Sequence, residues 1–288
     1  MFAPPRYLSF TLPYYLSFLM QINARALWAD IEKLRLAKPL VHNLTNYVVM
    51  NTTANALLAL GASPVMAHAE EELEEFVAMA GAVVINIGTL DAGWIAAYRK
   101  AAAYAKQYQK PLVLDPVGAG ATRLRTATCL ELLGQGGLSL VRGNASEIAS
   151  LAGTAGATKG VDSTLSSIGM EGHAQALINQ YSVTVCISGA EDYVFGAGGI
   201  AYELAGGNPM LPLVTGMGCT ATALCGAFMA VNPNVAQAAA HAMAVMNLAS
   251  EQAAQTATGP GNLQAHLFNA LHALNAHAIE LRYGRMAE

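Results

Sequence analysis

Thr215-Gly216-Met217-Gly218-Cys219 sets two glycines one residue apart at the entrance to an apolar, helix-forming stretch, Thr220 to Ala230. Glycines at such a turn let backbone N–H groups converge on one point, where the helix dipole also favours negative charge. A transferring phosphoryl group suits that point, because its catalysis is mostly positioning and electrostatic stabilisation. Cys219 would stand at the helix start, where a thiol pKa tends to fall, so it is a candidate acceptor for the proton of a substrate hydroxyl. The same five residues read equally well as a tight strand-to-helix turn around a small buried cysteine. Gly216 to Ala221 also spells GxGxxA, a partial dinucleotide fingerprint. That reading is weak: no acidic residue lies about 20 positions further on, where Gln237-Ala-Ala-Ala occurs. There is no Walker A motif and no protein-kinase signature.

Asn144-Ala-Ser-Glu147 offers a second constellation. Glu147 with Asp115 would suffice for a phosphate-bound Mg²⁺, which keeps several waters and needs one or two carboxylates. The same four residues form a helix capping box, and by spacing alone capping is the stronger reading. His42-Asn-Leu-Thr45-Asn46 reads as an N-cap cluster ahead of a helix from Tyr47 to Leu60 that stops at Gly61. Met66 could lie on an aromatic ligand, although a lone methionine is more often core. The acidic run Glu70 to Glu75 reads as a solvated helix face. His241, His266, His272 and His277 show no HExxH arrangement and read as surface or satisfied core positions.

Parallel strands would position these groups. Ala82 to Ile87, Pro111 to Leu114, Leu138 to Val141 and Val183 to Ile187 are short apolar runs, each followed by a helix-like segment. Continuous apolar strands separated by helices mean a parallel sheet covered on both faces, with ligands beyond the carboxyl ends of the strands. The polar residues at those ends are Asn86, Gly88 and Thr89; Asp115; Arg142, Asn144 and Glu147; Ser188 and Gly189. Asp192 to Leu204 reads as a hairpin on the sheet edge.

The 288 residues are 54% hydrophobic and 12% charged, about half the usual charged share. So poorly charged a surface points to coverage by other subunits. A net charge of −4, with 15 lysines and arginines scattered singly, argues against nucleic-acid binding. Four cysteines without a CxxC pair fit a reduced, cytoplasmic compartment. Mean hydropathy is +0.36, yet the apolar stretches Phe76 to Ile85 and Ala223 to Val231 fall far short of the ~18 residues a spanning helix needs, so no membrane association is expected. Tyr7 to Ile22, behind Arg6, has the look of a targeting segment, but Pro13 breaks it and no small-residue cleavage site follows. Residues 1–19 are therefore taken as an N-terminal extension, disordered or preceding a true start at Met20, and 20–288 as a single domain.

Seven motifs occur in order: Pro39 to Asn46, Leu57 to Met66, Ile87 to Leu90, Leu114 to Thr122, Arg142 to Ile148, Gly160-Val-Asp162, and Val214 to Cys219. Together, over about residues 25 to 275, they resemble the hydroxyethylthiazole kinases of the ribokinase-like superfamily. The resemblance implies an α/β, three-layer α/β/α fold with a mostly parallel central sheet. It implies ATP- and Mg²⁺-dependent phosphorylation of the hydroxyl of 4-methyl-5-(2-hydroxyethyl)thiazole in thiamine biosynthesis or salvage, by a homotrimer with thiazole sites between subunits. By the same analogy Met66 contacts the thiazole, with Asn46, Gly88 and Thr89 nearby. Asp115 and Glu147 serve the metal and phosphate side, while Arg142, Asn144 and Ser188 contact ATP. Gly216 and Gly218 shape the anion hole and touch substrate, and Cys219 stands where most superfamily relatives carry an aspartate base. Met217, Asn262 and the stretch Ser188 to Asp192 depart from the family pattern. Two other readings are a kinase for a different acceptor, such as a hydroxymethylpyrimidine or a sugar, and a non-catalytic thiazole- or nucleotide-binding protein; a nicotinamide oxidoreductase is a distant third.

Overall fold

Successive residues of the central strands look in opposite directions: Val84, Val113, Leu140 and Cys186 belong to one core, Val83, Leu112, Val141 and Val185 to another. Strands buried on both faces need helices on both faces, which makes three layers. The structure, a computed structural model, describes residues 19–153, 167–199 and 201–284. Residues 1–18, most of the expected extension, and the Gly160-Val-Asp162 motif lie outside the described residues.

The chain alternates strand and helix: β1 Leu19–Met20, α1 Ala24–Ala37, β2 Leu40–Leu44, α2 Met50–Leu60, β3 Ser63–Val65, α3 Leu73–Met79, β4 Ala82–Asn86 and α4 Ala92–Gln107. It continues as β5 Leu112–Asp115, α5 Arg123–Gln135, β6 Leu140–Asn144, α6 Ala145–Leu151, α7 Ser167–Tyr181 and β7 Thr184–Ser188. A hairpin, β8 Glu191–Phe195 and β9 Ala201–Ala205, leads to α8 Met217–Met229, α9 Val235–Ala254, α10 Pro260–Ala273 and α11 Ala276–Tyr283. The sheet runs β1-β9-β8-β7-β6-β5-β4-β2-β3. Among these strands only β8 is antiparallel to its neighbours. Among the described residues no helix is long and apolar enough to cross a membrane.

Four differences from the sequence reading matter for the site. His42 and Asn43 are fully buried within β2 and not in an N-cap cluster. Helix α2 begins only at Met50, and its cap residue Val49 makes no side-chain cap bond. The β8–β9 hairpin is not the sheet edge, because β1 pairs alongside β9. Helix α8 starts at Met217, so Cys219 lies inside its first turn.

Candidate active site

The parallel register brings the polar strand ends level. Asn86 pairs with Asp115, Leu114 with Val141, Arg142 with Cys186 and Asn144 with Ser188. Arg142 therefore follows Val141 into the place beside Asp115, and its Nη2 donates to Ser188 Oγ at 2.6 Å. Arg142 is buried. Burial works against its charge, but Asp115 and the neighbouring acidic groups more than offset this, and its pKa is raised. Its Nε has no hydrogen-bond partner.

Helix α8 points its N-terminus at this guanidinium. Gly216 is its cap residue, with φ of 82° and no side-chain cap bond. A Cβ at 216 would be strained by that φ and would stand 2.5 Å from Val49 Cγ1. At Gly218 a Cβ would lie 2.9 Å from Arg142 Nη1. The two glycines thus let the arginine and the first-turn N–H groups converge, as an anion hole requires.

A buried hydrogen-bond chain runs across the strand ends. Thr222 Oγ1 and Asn86 Nδ2 both donate to Asp115 Oδ2, each at 2.7 Å. Asn46 Nδ2 donates to Asn86 Oδ1 at 2.8 Å and to Cys219 Sγ at 3.6 Å. Burial pushes the Asp115 carboxyl up to about 6; Arg142 opposes the rise and Glu147 adds to it. Burial also pushes the Cys219 thiol up to about 11, with Asp115 contributing. The expectation of a lowered thiol pKa is thereby corrected: in this buried position desolvation outweighs the helix dipole.

Glu147 makes the expected capping box with Asn144. Asn144 Oδ1 accepts from Glu147 N at 2.9 Å, and Glu147 Oε2 accepts from Asn144 N at 2.8 Å. Its other oxygen accepts from Gly118 N at 2.8 Å. Each carboxylate oxygen carries two lone pairs, so capping leaves Glu147 able to accept further. Among the described residues no group of three or more His, Cys, Asp or Glu could enclose a metal. Asp115 and Glu147 are two hard oxygen donors of one charge. They suit Mg²⁺, which takes its remaining ligands from water and phosphates, and not a cation needing a closed protein cage.

The thiazole-side candidates lie toward β2 and β3. Gly88 is packed so tightly on Asn46 that a Cβ would stand 2.5 Å from Asn46 Nδ2. Thr89 Oγ1 accepts from Tyr47 N at 3.2 Å. Met66 is half-buried just beyond β3 at the sheet margin, and His42 Nε2 holds the next residue by donating to the Ala67 carbonyl at 2.9 Å. Asn46, Gly88, Thr89, Asp115, Arg142, Ser188, Gly218 and Cys219 are thus joined through direct contacts or the same chain; no polar bond ties Met66 to them. Sequence reading missed Thr222 and Arg125. Arg125 donates to the carbonyls of Ile87, Gly88 and Val117 and so clamps two strand-end loops together. An arginine in a helix's first turn carries no local sign of that role. Thr222, one turn after Gly218, faces inward, which helical spacing could have suggested.

A profile of the hydroxyethylthiazole kinase family matches residues 31–277. A hydroxyethylthiazole kinase of Syntrophus aciditrophicus is 50% identical over 91% of this chain and 97% of its own length. One of Pyrococcus furiosus is 52% identical over 87% and 94%. The solved structure of hydroxyethylthiazole kinase protein from Pyrococcus horikoshii superposes with a TM-score of 0.82 at 43% identity, covering 89% of this chain and 96% of that one. The pyridoxal kinase of Staphylococcus aureus, solved with AMP-PCP and pyridoxal, shares the fold at a TM-score of 0.56 and 16% identity, over 74% and 88% of the two chains.

Proposed function

The chain belongs to the hydroxyethylthiazole kinase family, and from that premise we propose how its strand ends carry the reaction. The activity is ATP-dependent phosphorylation of the hydroxyl of hydroxyethylthiazole, a step of thiamine salvage. The observation that carries the site assignment is the uncapped N-terminus of α8, with the buried Arg142 against Gly218 and Asp115 beside it.

The first-turn N–H groups at Gly218 and Cys219 receive the γ-phosphoryl oxygens, and Arg142 neutralises charge spread over them. Gly216 and Gly218 keep the approach open. Ser188 and Asn144, level at the ends of β7 and β6, flank the ATP phosphates. Asp115 and Glu147 would hold Mg²⁺, which would supply further neutralisation of the phosphates. Met66, Asn46, Gly88 and Thr89 carry the thiazole. Cys219 is a protonated thiol at neutral pH, so it lines the acceptor pocket and is not an essential base. In a loose transition state the hydroxyl proton leaves late, to an oxygen of the transferred phosphoryl group.

We further propose that the enzyme is a cytoplasmic homotrimer in which a second copy completes each thiazole site. The low charged share supports this, as do the exposed Tyr47 and Val48 next to Asn46 and the exposed Leu213 just before the anion-hole turn. The kinase domain is taken as residues 20–288, with the sheet already reaching Leu19 of the N-terminal extension. The test is ADP release by the purified protein with ATP and Mg²⁺, with and without hydroxyethylthiazole, together with the sedimentation mass. Thiazole-dependent ADP, with a phosphate monoester in the ³¹P spectrum, supports the reading. A folded trimer that binds thiazole without turnover refutes it in favour of a binding role.

A further inference from the structure

Asn86 ends β4 at 1% exposure, with both ends of its carboxamide engaged. Its orientation is not a free choice between oxygen and nitrogen. Gly88 N–H, which can only donate, bonds its Oδ1 at 3.0 Å, so Nδ2 must face Asp115. For Asn46 the same reasoning identifies the two ends of the amide: Val48 N–H bonds its Oδ1 at 3.1 Å, so Nδ2 is the end at Asn86 and Cys219, and the 2.8 Å bond to Asn86 Oδ1 holds that end in place. Thr222 holds the far end by donating to the same Asp115 oxygen. The Asn46 and Asn86 amides thus hand their hydrogen bonds on toward Asp115, and both also face the Cys219 sulfur.

We propose that Asn86 is a positioning residue for phosphoryl transfer. It relays the fixed place of Asp115 into a fixed orientation of the Asn46 carboxamide, so that one Asn46 N–H faces Cys219 Sγ and the space where the acceptor hydroxyl arrives. That N–H orients the acceptor hydroxyl: its oxygen bonds the γ-phosphorus as the bond to the β,γ-bridging oxygen breaks and ADP leaves, and its proton, lost late, passes to an oxygen of the transferred phosphoryl group. Only a planar amide serves at 86, because the position must donate to Asp115 and accept from both Asn46 and Gly88. A carboxylate there would face Asp115 across a distance suited to a hydrogen bond, and an alkyl group would leave the Gly88 N–H and one Asn46 N–H without an acceptor and Asp115 Oδ2 with Thr222 alone. The proposal rests on the kinase reading above and goes beyond it in assigning Asn86.

The test is a double-mutant cycle of Asn46→Ala and Asn86→Leu, with a crystal structure of ligand-free Asn86→Leu. Each single substitution is expected to lower kcat/KM for the thiazole alcohol about 30-fold, mostly in kcat, with the KM for ATP within about threefold of the parent. The double variant is expected to be no more than about threefold below the worse single, because the second change removes a relay already broken. In the crystal the Asn46 carboxamide should have turned away from Cys219. Additive losses, or an Asn46 carboxamide unmoved in Asn86→Leu, would overturn the proposal. If Asn86→Leu does not fold, Asn86→Ser has the same expected outcomes, since a hydroxyl cannot span Gly88, Asn46 and Asp115 together. If the parent shows no thiazole-dependent turnover, the kinase reading fails while the crystallographic comparison still decides the positioning claim.

Discussion

Asp115→Asn should make the protein more stable and nearly inactive. Asp115 is 2% exposed, and burial lifts its carboxyl from an ordinary value near 3.8 to about 6. Above pH 7 the group is ionised in both folded and unfolded chains, so the buried charge costs the full difference. Two pH units correspond to about 3 kcal/mol. The sign follows from the raised folded pKa: the folded state binds the proton more tightly, so the penalty is full above about pH 6 and fades as pH falls toward 4. The amide of Asp115→Asn keeps an acceptor for Asn86 Nδ2 and Thr222 Oγ1 and removes the charge. Arg142 loses a counter-charge, but that attraction is already contained in the net shift. Thermal unfolding in EDTA, without nucleotide, should show the variant about 3 kcal/mol more stable at pH 8, roughly 6–12 °C in Tm. The gain should halve near pH 5, fall to about a fifth near pH 4 and vanish by about pH 3. Thiazole-dependent kcat should fall at least about 100-fold, a stability gained where function had kept a strained charge. A variant less stable at pH 8, or a gain that does not change with pH, would rule out a net desolvation penalty on the Asp115 charge.

Gly88→Ala drives a methyl group into Asn46, so steady-state kinetics should show kcat/KM for the thiazole alcohol lowered about tenfold or more, with the KM for ATP unchanged. Cys219→Ser should retain activity within about tenfold and leave the shape of the parent's pH profile between 6.5 and 9 unchanged, because the thiol, pushed up to about 11, is protonated throughout. Glu147→Gln turns an amide NH₂ toward Gly118 N–H or Asn144 N–H. Melting should show a loss of about 1–2 kcal/mol, and Mg²⁺ titration a half-saturating concentration raised about tenfold. Gly216→Ala places a side chain at a φ of 82° and against Val49, so it should cost about 1–3 kcal/mol in denaturant unfolding and most of the activity.

How much of this was legible in the chain depended on local pattern. Strands β4, β5, β6 and β7 announce themselves as short apolar runs that stop at asparagine, aspartate, glycine or serine, and their last residues are the site. The Asn144–Glu147 box is equally local, since its spacing alone places the side chains. Strand β2 was hidden because His42 and Asn43 interrupt Leu40–Leu44 with polar side chains that only a covered sheet margin makes tolerable. Strand β3 was hidden because Pro64 sits in three residues at the sheet edge. The Cys219 pKa was misread because helix position is visible in sequence and desolvation is not. The reach of Arg125 to three carbonyls on two other loops, and the bond from Thr222 across 107 residues to Asp115, belong to tertiary structure alone.

The most direct test of the account is a crystal structure with a non-hydrolysable ATP analogue, Mg²⁺ and hydroxyethylthiazole. The expected result places the γ-phosphate within hydrogen-bond distance of the Gly218 and Cys219 N–H groups and Arg142, with the acceptor hydroxyl between it and Asn46 Nδ2. A γ-phosphate bound away from the N-terminus of α8, or a thiazole whose hydroxyl cannot reach it, would contradict the account.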